Sequence, residues 1–257
     1  MTPVTPMTAS HHLGLDGARV VQTAELLLSR RAVRDVLSAR ALGVMHGPAG
    51  SGKTFAAQLA VGEFKVERAW VQFPSRPTML HVARRLYWEL AGADPGRANR
   101  FELSEELIAL LSGREWLLVV DEAQWLNREC IEYLRHLHDH PRTRFSLLLV
   151  GGDGCWRVLS REPMLRSRIY RRVRFGPLRP QTVLKVIPGY HPIYQNAPGE
   201  LLAMVDDRYA HGCFREWASF THSALALCRE QNADMLSEPI ARAVLELHAG
   251  GEIEEAA

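Results

Sequence analysis

The sequence predicts an α/β protein: a doubly wound parallel sheet with helices on both faces, followed by a small C-terminal helical domain. Three observations carry this. Continuous apolar runs at residues 41–46, 115–120 and 145–150 suit strands buried on both faces, as parallel strands are. Helical periodicity alternates with these runs from about residue 23 to residue 178, the order that βα units require. Beyond Pro180 the β-type runs stop and only helical spacing remains.

The totals set limits on function. At 257 residues the chain has room for one large domain or a domain with a smaller companion. Hydrophobic residues at 47% and charged residues at 23% describe an ordinary globule, and a net charge of +2 does not by itself announce a nucleic-acid binder. Lysine occurs only at 53, 65 and 185, so the basic charge is almost all arginine. The cysteines, at 130, 155, 213 and 228, have no Cys-x-x-Cys spacing and read as small buried hydrophobes in a reducing compartment. Neither a leader pattern nor a run of 18 apolar residues is present, so the expectation is a cytoplasmic protein without membrane contact.

Taken in order, residues 1–19, with Pro3, Pro6, Gly14 and Gly17, read as an irregular arm. Thr23 is an N-cap candidate for a helix over 24–39 with the stripe Leu26, Leu27, Val33, Val36 and Leu37. Arg30, Arg31, Arg34 and Arg40 fall mostly off that stripe, as a solvated face would. The strand at 41–46 runs into Gly47-Pro48-Ala49-Gly50-Ser51-Gly52-Lys53-Thr54, and a helix follows. Strand, glycine-rich turn and helix form a phosphate-binding loop: glycines let backbone N–H groups turn inward, and the helix N-terminus adds partial positive charge. Lys53 is placed to reach the β- and γ-phosphates of a nucleoside triphosphate, and the Thr54 hydroxyl to ligate Mg²⁺.

A strand at 69–73 and a turn at Pro74-Ser75-Arg76-Pro77 lead to a helix over 78–90, with Leu80, Ala83, Leu86, Tyr87 and Leu90 inward and Arg84 and Arg85 at the edge. A loop at 92–99 precedes a helix over 102–112, stopped by Gly113. The buried strand at 115–120 ends in Asp121-Glu122, at the carboxyl end of a strand, where open α/β sheets bind ligands. Asp121 suits Mg²⁺, and Glu122 suits the orientation and polarisation of an attacking water. In the helix expected over 127–138, Cys130, Ile131, Leu134 and Leu137 point inward. His136, His138 and His140 fall on different faces, which argues against a metal site. The next strand spans 145–153; Asp153 reads equally as a γ-phosphate sensor at its tip and as a turn or helix cap. A last strand at 170–175 follows Leu165-Arg166-Ser167-Arg168-Ile169, and 176–180 closes the core. Helices are expected at 181–187, 199–211, 214–231 and 238–247, with a loop at 188–198 and a short acidic tail from 250.

With these motifs placed, the chain resembles the AAA+ family over residues 20–247: Walker A at 47–54, Walker B at 117–122, a sensor strand at 145–153, then a helical lid. This divides it into an arm (1–19), an ATPase core (20–180), a lid (181–249) and a tail (250–257). Within the family it looks most like the transposition ATPases of the MuB, TniB and TnsC type, through Gly43-Val44-Met45-His46 ahead of the loop, the Asp121-Glu122-Ala123-Gln124 box, Leu149-Val150-Gly151 and Ser167-Arg168-Ile169. Secretion-associated ATPases of the ExeA type share several of these features.

The resemblance implies ATP and Mg²⁺ as ligands, held by residues 47–54 together with Asp121. It implies hydrolysis aided by Lys53 and Glu122, with Asp153 at the sensor-1 end of its strand, where Asn, Thr or Ser is more familiar. Arg168 resembles the arginine finger that reaches a neighbouring subunit, with Arg166 as substitute. In Gly212-Cys213-Phe214-Arg215, Arg215 resembles sensor 2. A finger given in trans implies a slow monomer and an active homo-oligomeric ring or helical filament. The family's DNA partner is duplex gripped by its backbone, for which Ser75, Arg76, Thr78, Arg84 and Arg85 are the candidates here. Target-DNA selection with recruitment or activation of a transposase is the leading expectation. A nucleotide-switched protein-interaction ATPase without DNA is the alternative. A kinase is a weaker third reading, because Glu122 and the helical lid favour water as acceptor.

Overall fold

A computed structural model describes residues 11–249; the first ten residues of the arm and the acidic tail from 250 lie outside the described residues. The described chain forms two compact units, one of residues 24–49 and 53–175, the other of residues 11–23, 50–52 and 176–249.

The first unit is built on five parallel strands: β1 (Leu42–His46), β2 (Glu67–Gln72), β3 (Trp116–Asp121), β4 (Phe145–Gly151) and β5 (Ile169–Arg174), in the order β2-β3-β4-β1-β5. Because β4 inserts between β3 and β1, their carboxyl ends share one edge. Val120 pairs with Leu149, and His46 with Gly151. The central strands are buried along their whole length, which is why they read as unbroken apolar runs.

Alternate side chains feed two cores, as the period of two dictates. Met45, Leu117, Val119, Leu148 and Val150 pack with α1 (Ala24–Ala39) and α2 (Lys53–Gly62). Val44, Leu118, Val120, Leu147 and Leu149 pack on the other face with α3 (Met79–Ala91), α4 (Arg100–Ser112), α5 (Arg128–Asp139) and α6 (Asp153–Ser160). Full burial of one such side chain contributes roughly 1.5–3 kcal/mol. The doubly wound α/β class expected from the sequence is therefore the one observed.

Helix starts follow their caps. The Thr78 hydroxyl accepts from the His81 N–H at 3.2 Å, the Asn99 carboxamide accepts from the Phe101 N–H at 2.8 Å within a capping box closed by Glu102, and Asn127 accepts from the Cys130 N–H at 2.9 Å. Two expected core positions are corrected. Leu27 and Leu80 face solvent, while Ser29, Ala32 and Val82 take the buried stripes of α1 and α3. In α1, Ser29 and Ala32 share the buried face with Leu26, Val33 and Val36, and Leu27 falls outside it. The strand expected over 145–153 ends at Gly151: Asp153 opens α6, and the four-residue α7 (Pro163–Arg166) follows.

The second unit consists of α8 (Pro180–Val186), α9 (Gly199–Val205), α10 (Phe214–Glu230) and α11 (Glu238–His248), with short 3₁₀ turns at Ile187–Gly189 and Pro192–Tyr194. The single helix expected over 199–211 instead passes at Val205 into a π turn, Asp206–Ala210. There the buried Asp206 carboxylate accepts from the Gly212 N–H at 2.7 Å and the Trp217 indole N–H at 3.1 Å. Gly212 has φ 73°, and a Cβ there would lie 2.3 Å from the Leu178 carbonyl, so only glycine fits. Part of the N-terminal arm belongs to this unit. Leu15 enters its core, the Arg19 N–H donates to the Tyr190 carbonyl at 2.7 Å, and the His191 ring meets the Asp16 carbonyl at 3.0 Å.

Candidate nucleotide-binding site

The loop after β1 is shaped by its glycines. Gly47, at φ 156°, passes so close to Phe175 that a Cβ would lie 2.3 Å from its carbonyl oxygen. Gly50 and Gly52 have φ of 74° and 85°, a region strained for any L side chain. α2 starts at Lys53, whose ammonium folds back to donate to the Pro48 carbonyl at 2.7 Å.

Opposite α2, the tip of β3 brings the acidic pair into place. Asp121 is 8% exposed; one of its carboxylate oxygens, Oδ1, accepts from the Glu122 N–H at 2.9 Å and from the Thr54 hydroxyl at 3.4 Å. Burial pushes its carboxyl above the usual range, the Glu122 charge adds to this, and the hydrogen bonds and Lys53 oppose it. A cation beside Asp121 would offset that burial. Thr54 and Asp121 fit Mg²⁺ in donor type, and no group of three His, Cys, Asp or Glu side chains among the described residues forms a metal cage. Phosphate and water oxygens would have to complete the shell, which is how Mg²⁺ is usually held beside nucleotides.

Glu122 sits in a left-handed backbone conformation (φ 53°, ψ 37°), starting the tight turn Ala123–Trp125. Its carboxylate accepts from the Gln124 carboxamide N–H, and the carboxamide oxygen of Gln124 accepts from the Gly152 N–H at 2.7 Å. Gln124 belongs to the sequence motif without a role assigned to it; the signals for one are its position two residues beyond Glu122 and the side-chain-free Gly151-Gly152. His46, at the tip of β1, is likewise part of the motif with no role assigned. His46 stacks against Trp156, with 5.9 Å between ring centroids, and accepts from the Arg172 guanidinium at 2.8 Å. Burial, joined by the charges of Arg172 and Arg174, pulls the imidazole down to about 4, with Asp153 opposing.

The other expected site residues are placed as follows. Asp153 is exposed in the first turn of α6, not on a strand. Arg168, half-buried, pairs with Asp139 at 2.8 Å, and Arg166 is exposed. Within the second unit, Arg215 lies in the first turn of α10 and its N–H donates to the Gly50 carbonyl at 3.2 Å. Ser75 and Arg76 are exposed, with Arg76 at φ 55°. Thr78 caps α3, Arg84 donates to the Ala98 carbonyl at 3.4 Å, and Arg85 pairs with Glu89 at 2.6 Å. The expectation of three separate faces is corrected for two of these histidines: the rings of His136 and His140, four residues apart, meet edge to face, whereas His138 turns towards the Arg40 carbonyl.

Comparison with known proteins bears on the fold and on the family. Residues 34–159 match the AAA domain family. Over 119 residues the chain is 34% identical to the Mu-like prophage FluMu DNA transposition protein B of Haemophilus influenzae, a match covering 45% of this chain and 39% of that protein. The chain thus matches well under half the length of this relative. Among solved structures, the Aeropyrum pernix ORC2 protein in its ADPNP-ADP complexes superposes with a TM-score of 0.67 at 19% identity, over 91% of this chain and 67% of that one. Drosophila ORC bound to DNA superposes with a TM-score of 0.69 at 12% identity, over 93% and 64% of the two chains. At such identities the likeness is one of fold. No helix of the described residues is long and apolar enough to cross a membrane. Residues 34–159 thus match an AAA domain, and the chain is a distant homologue of a Mu-like transposition protein B.

Proposed function

We propose that this chain is an ATP-dependent, sequence-tolerant DNA-binding ATPase that selects target DNA and recruits or activates a transposase. The observation that carries this reading is the 34% identity over 119 residues to a DNA transposition protein, beside an AAA domain match over residues 34–159 that includes both nucleotide motifs. In this reading Lys53 and the backbone of residues 47–54 hold the phosphates. Thr54 and Asp121 hold Mg²⁺, which when bound withdraws charge from the phosphate oxygens. Glu122 orients a water and accepts its proton. Arg215 contacts the γ-phosphate of its own subunit, and Arg168, released from Asp139, reaches that of a neighbour. An arginine supplied in this way is worth roughly 10³–10⁵ in rate in phosphoryl-transfer enzymes, so turnover is slow until ATP-bound subunits assemble on duplex. Ser75, Arg76 and Thr78, with Arg84 and Arg85 beyond them, are the proposed phosphate contacts. Backbone contacts of this kind carry no sequence information.

The test is fluorescence anisotropy of a random-sequence labelled duplex, with and without ATP and Mg²⁺, across a salt series. The expected result is binding only with ATP, and an affinity that falls steeply with salt, by a logarithmic slope of about 0.9 per neutralised phosphate. Absence of binding at low salt, from protein shown to bind ATP, overturns the DNA reading in favour of a protein-interaction switch.

A further inference from the structure

β4 ends at Gly151 and Gly152 caps α6, so this strand tip brings no side chain to the edge where Asp121 and Glu122 lie. The polar group found there comes from the neighbouring turn. The Gln124 carboxamide spans the gap, accepting from the Gly152 N–H at 2.7 Å and donating to Glu122 Oε2. Its orientation is set from both sides. A backbone N–H can face only the amide oxygen, and an ionised carboxylate only the amide nitrogen, so both neighbours demand the same rotamer. The space is built for it as well. A Cβ on Gly151 would approach Gln124 Oε1 to 2.6 Å and Cys155 Cβ to 2.7 Å.

We infer that Gln124 is the positioning residue of ATP hydrolysis: it holds Glu122 through Oε2, leaves Oε1 to take the water's proton, and ties the aim of that carboxylate to the tip of β4. This rests on the reading that Glu122 accepts the proton. Any displacement of the β4 tip would then be passed to Glu122 through one carboxamide. Shorter Asn cannot span both partners, Leu makes neither bond, and Glu sets a second negative charge against the first.

The full-length chain is assayed for single-turnover ATP hydrolysis with Mg²⁺ and duplex, and for affinity for a fluorescent ATP analogue, as wild type, Q124L, Q124E, E122Q and E122Q/Q124L. Removing a group that orients a reacting residue costs ~10–100-fold in activity. The expected result is a loss of that size in Q124L and Q124E, with nucleotide affinity within about twofold of wild type. The double variant should be no slower than E122Q, because Gln124 acts only through Glu122. Wild-type turnover in both Q124L and Q124E, beside a slow E122Q, overturns the role of Gln124 alone. A further loss in the double variant overturns it too. Full turnover by E122Q overturns instead the assignment of Glu122 on which the inference rests. Folding is controlled by the affinity measurement, since a disrupted turn would weaken nucleotide binding in Q124L and Q124E together, and that result counts against a positioning role.

Discussion

The tips of β3 and β4 lie side by side on one edge of the sheet, yet they are built in opposite ways. β3 ends in two carboxylates, one buried against Thr54 and one held in a left-handed turn. β4 ends at Gly151, and Gly152 just beyond it takes its polar contact from Gln124. The contrast follows from crowding. A buried strand end has room for a catalytic side chain only if its neighbour recedes, and Gly151 recedes so far that even a methyl group would collide. Under the proposed function, the work at this edge is divided between a strand that supplies charge and a strand that supplies space, with one N–H beyond its end.

The largest effect expected from breaking this division is at β3. Glu122→Gln should keep ATP bound while turnover falls by ~10²–10⁴-fold, the usual worth of a general base, as single-turnover hydrolysis would read. On β4, filling the space with Gly151→Ala should cost ~1–3 kcal/mol of stability, the price of overpacking, seen as a lower urea midpoint. Gly62→Ala, where nothing lies within 4 Å of the added Cβ, is its control and should not be destabilising.

The tip on the other side of β4 sharpens the comparison through pH. His46 is held neutral, its value drawn from the ordinary 6.5 down to about 4. The unfolded chain takes up this proton below about pH 6.5 and the folded chain does not. The stability His46 contributes is therefore complete above that pH and is lost as pH falls towards 4. Urea midpoints measured between pH 4 and pH 8 should follow this course, and His46→Gln should flatten it. The smallest effect is expected at Asp153. As an exposed carboxylate in the first turn of α6, it should yield less than ~1 kcal/mol in Asp153→Asn, with turnover changed less than twofold. A large loss of turnover would instead restore it as a γ-phosphate sensor.

What the residues reveal on their own is whatever depends on near neighbours. The loop at 47–54 is legible because its turn, its glycines and the start of α2 are fixed within a few residues. β1, β3 and β4 are legible because burial on both faces leaves a predominantly apolar run, and Asn127 marks a helix start through local hydrogen bonding. The outward turn of Leu27 and Leu80 is not legible, since periodicity marks a stripe but not which leucine of a cluster meets the sheet. The pairing of Arg168 with Asp139, and the seat of Leu15 in the second unit, join residues far apart in the chain.

The sequence alone determined the class of fold, the glycine-rich loop and the acidic pair, because each is written in adjacent residues whose conformations are set locally. Only the tertiary structure decided that β4 lies beside β3, that its tip is a helix start without a side chain, and that Gln124 bridges the two. That bridge spans 28 residues of chain, from Gln124 to Gly152, and exists only because the parallel register brings two strand ends together. No periodicity or motif encodes such a meeting. It follows from closing the sheet, where non-local pairing and close packing choose which atoms touch.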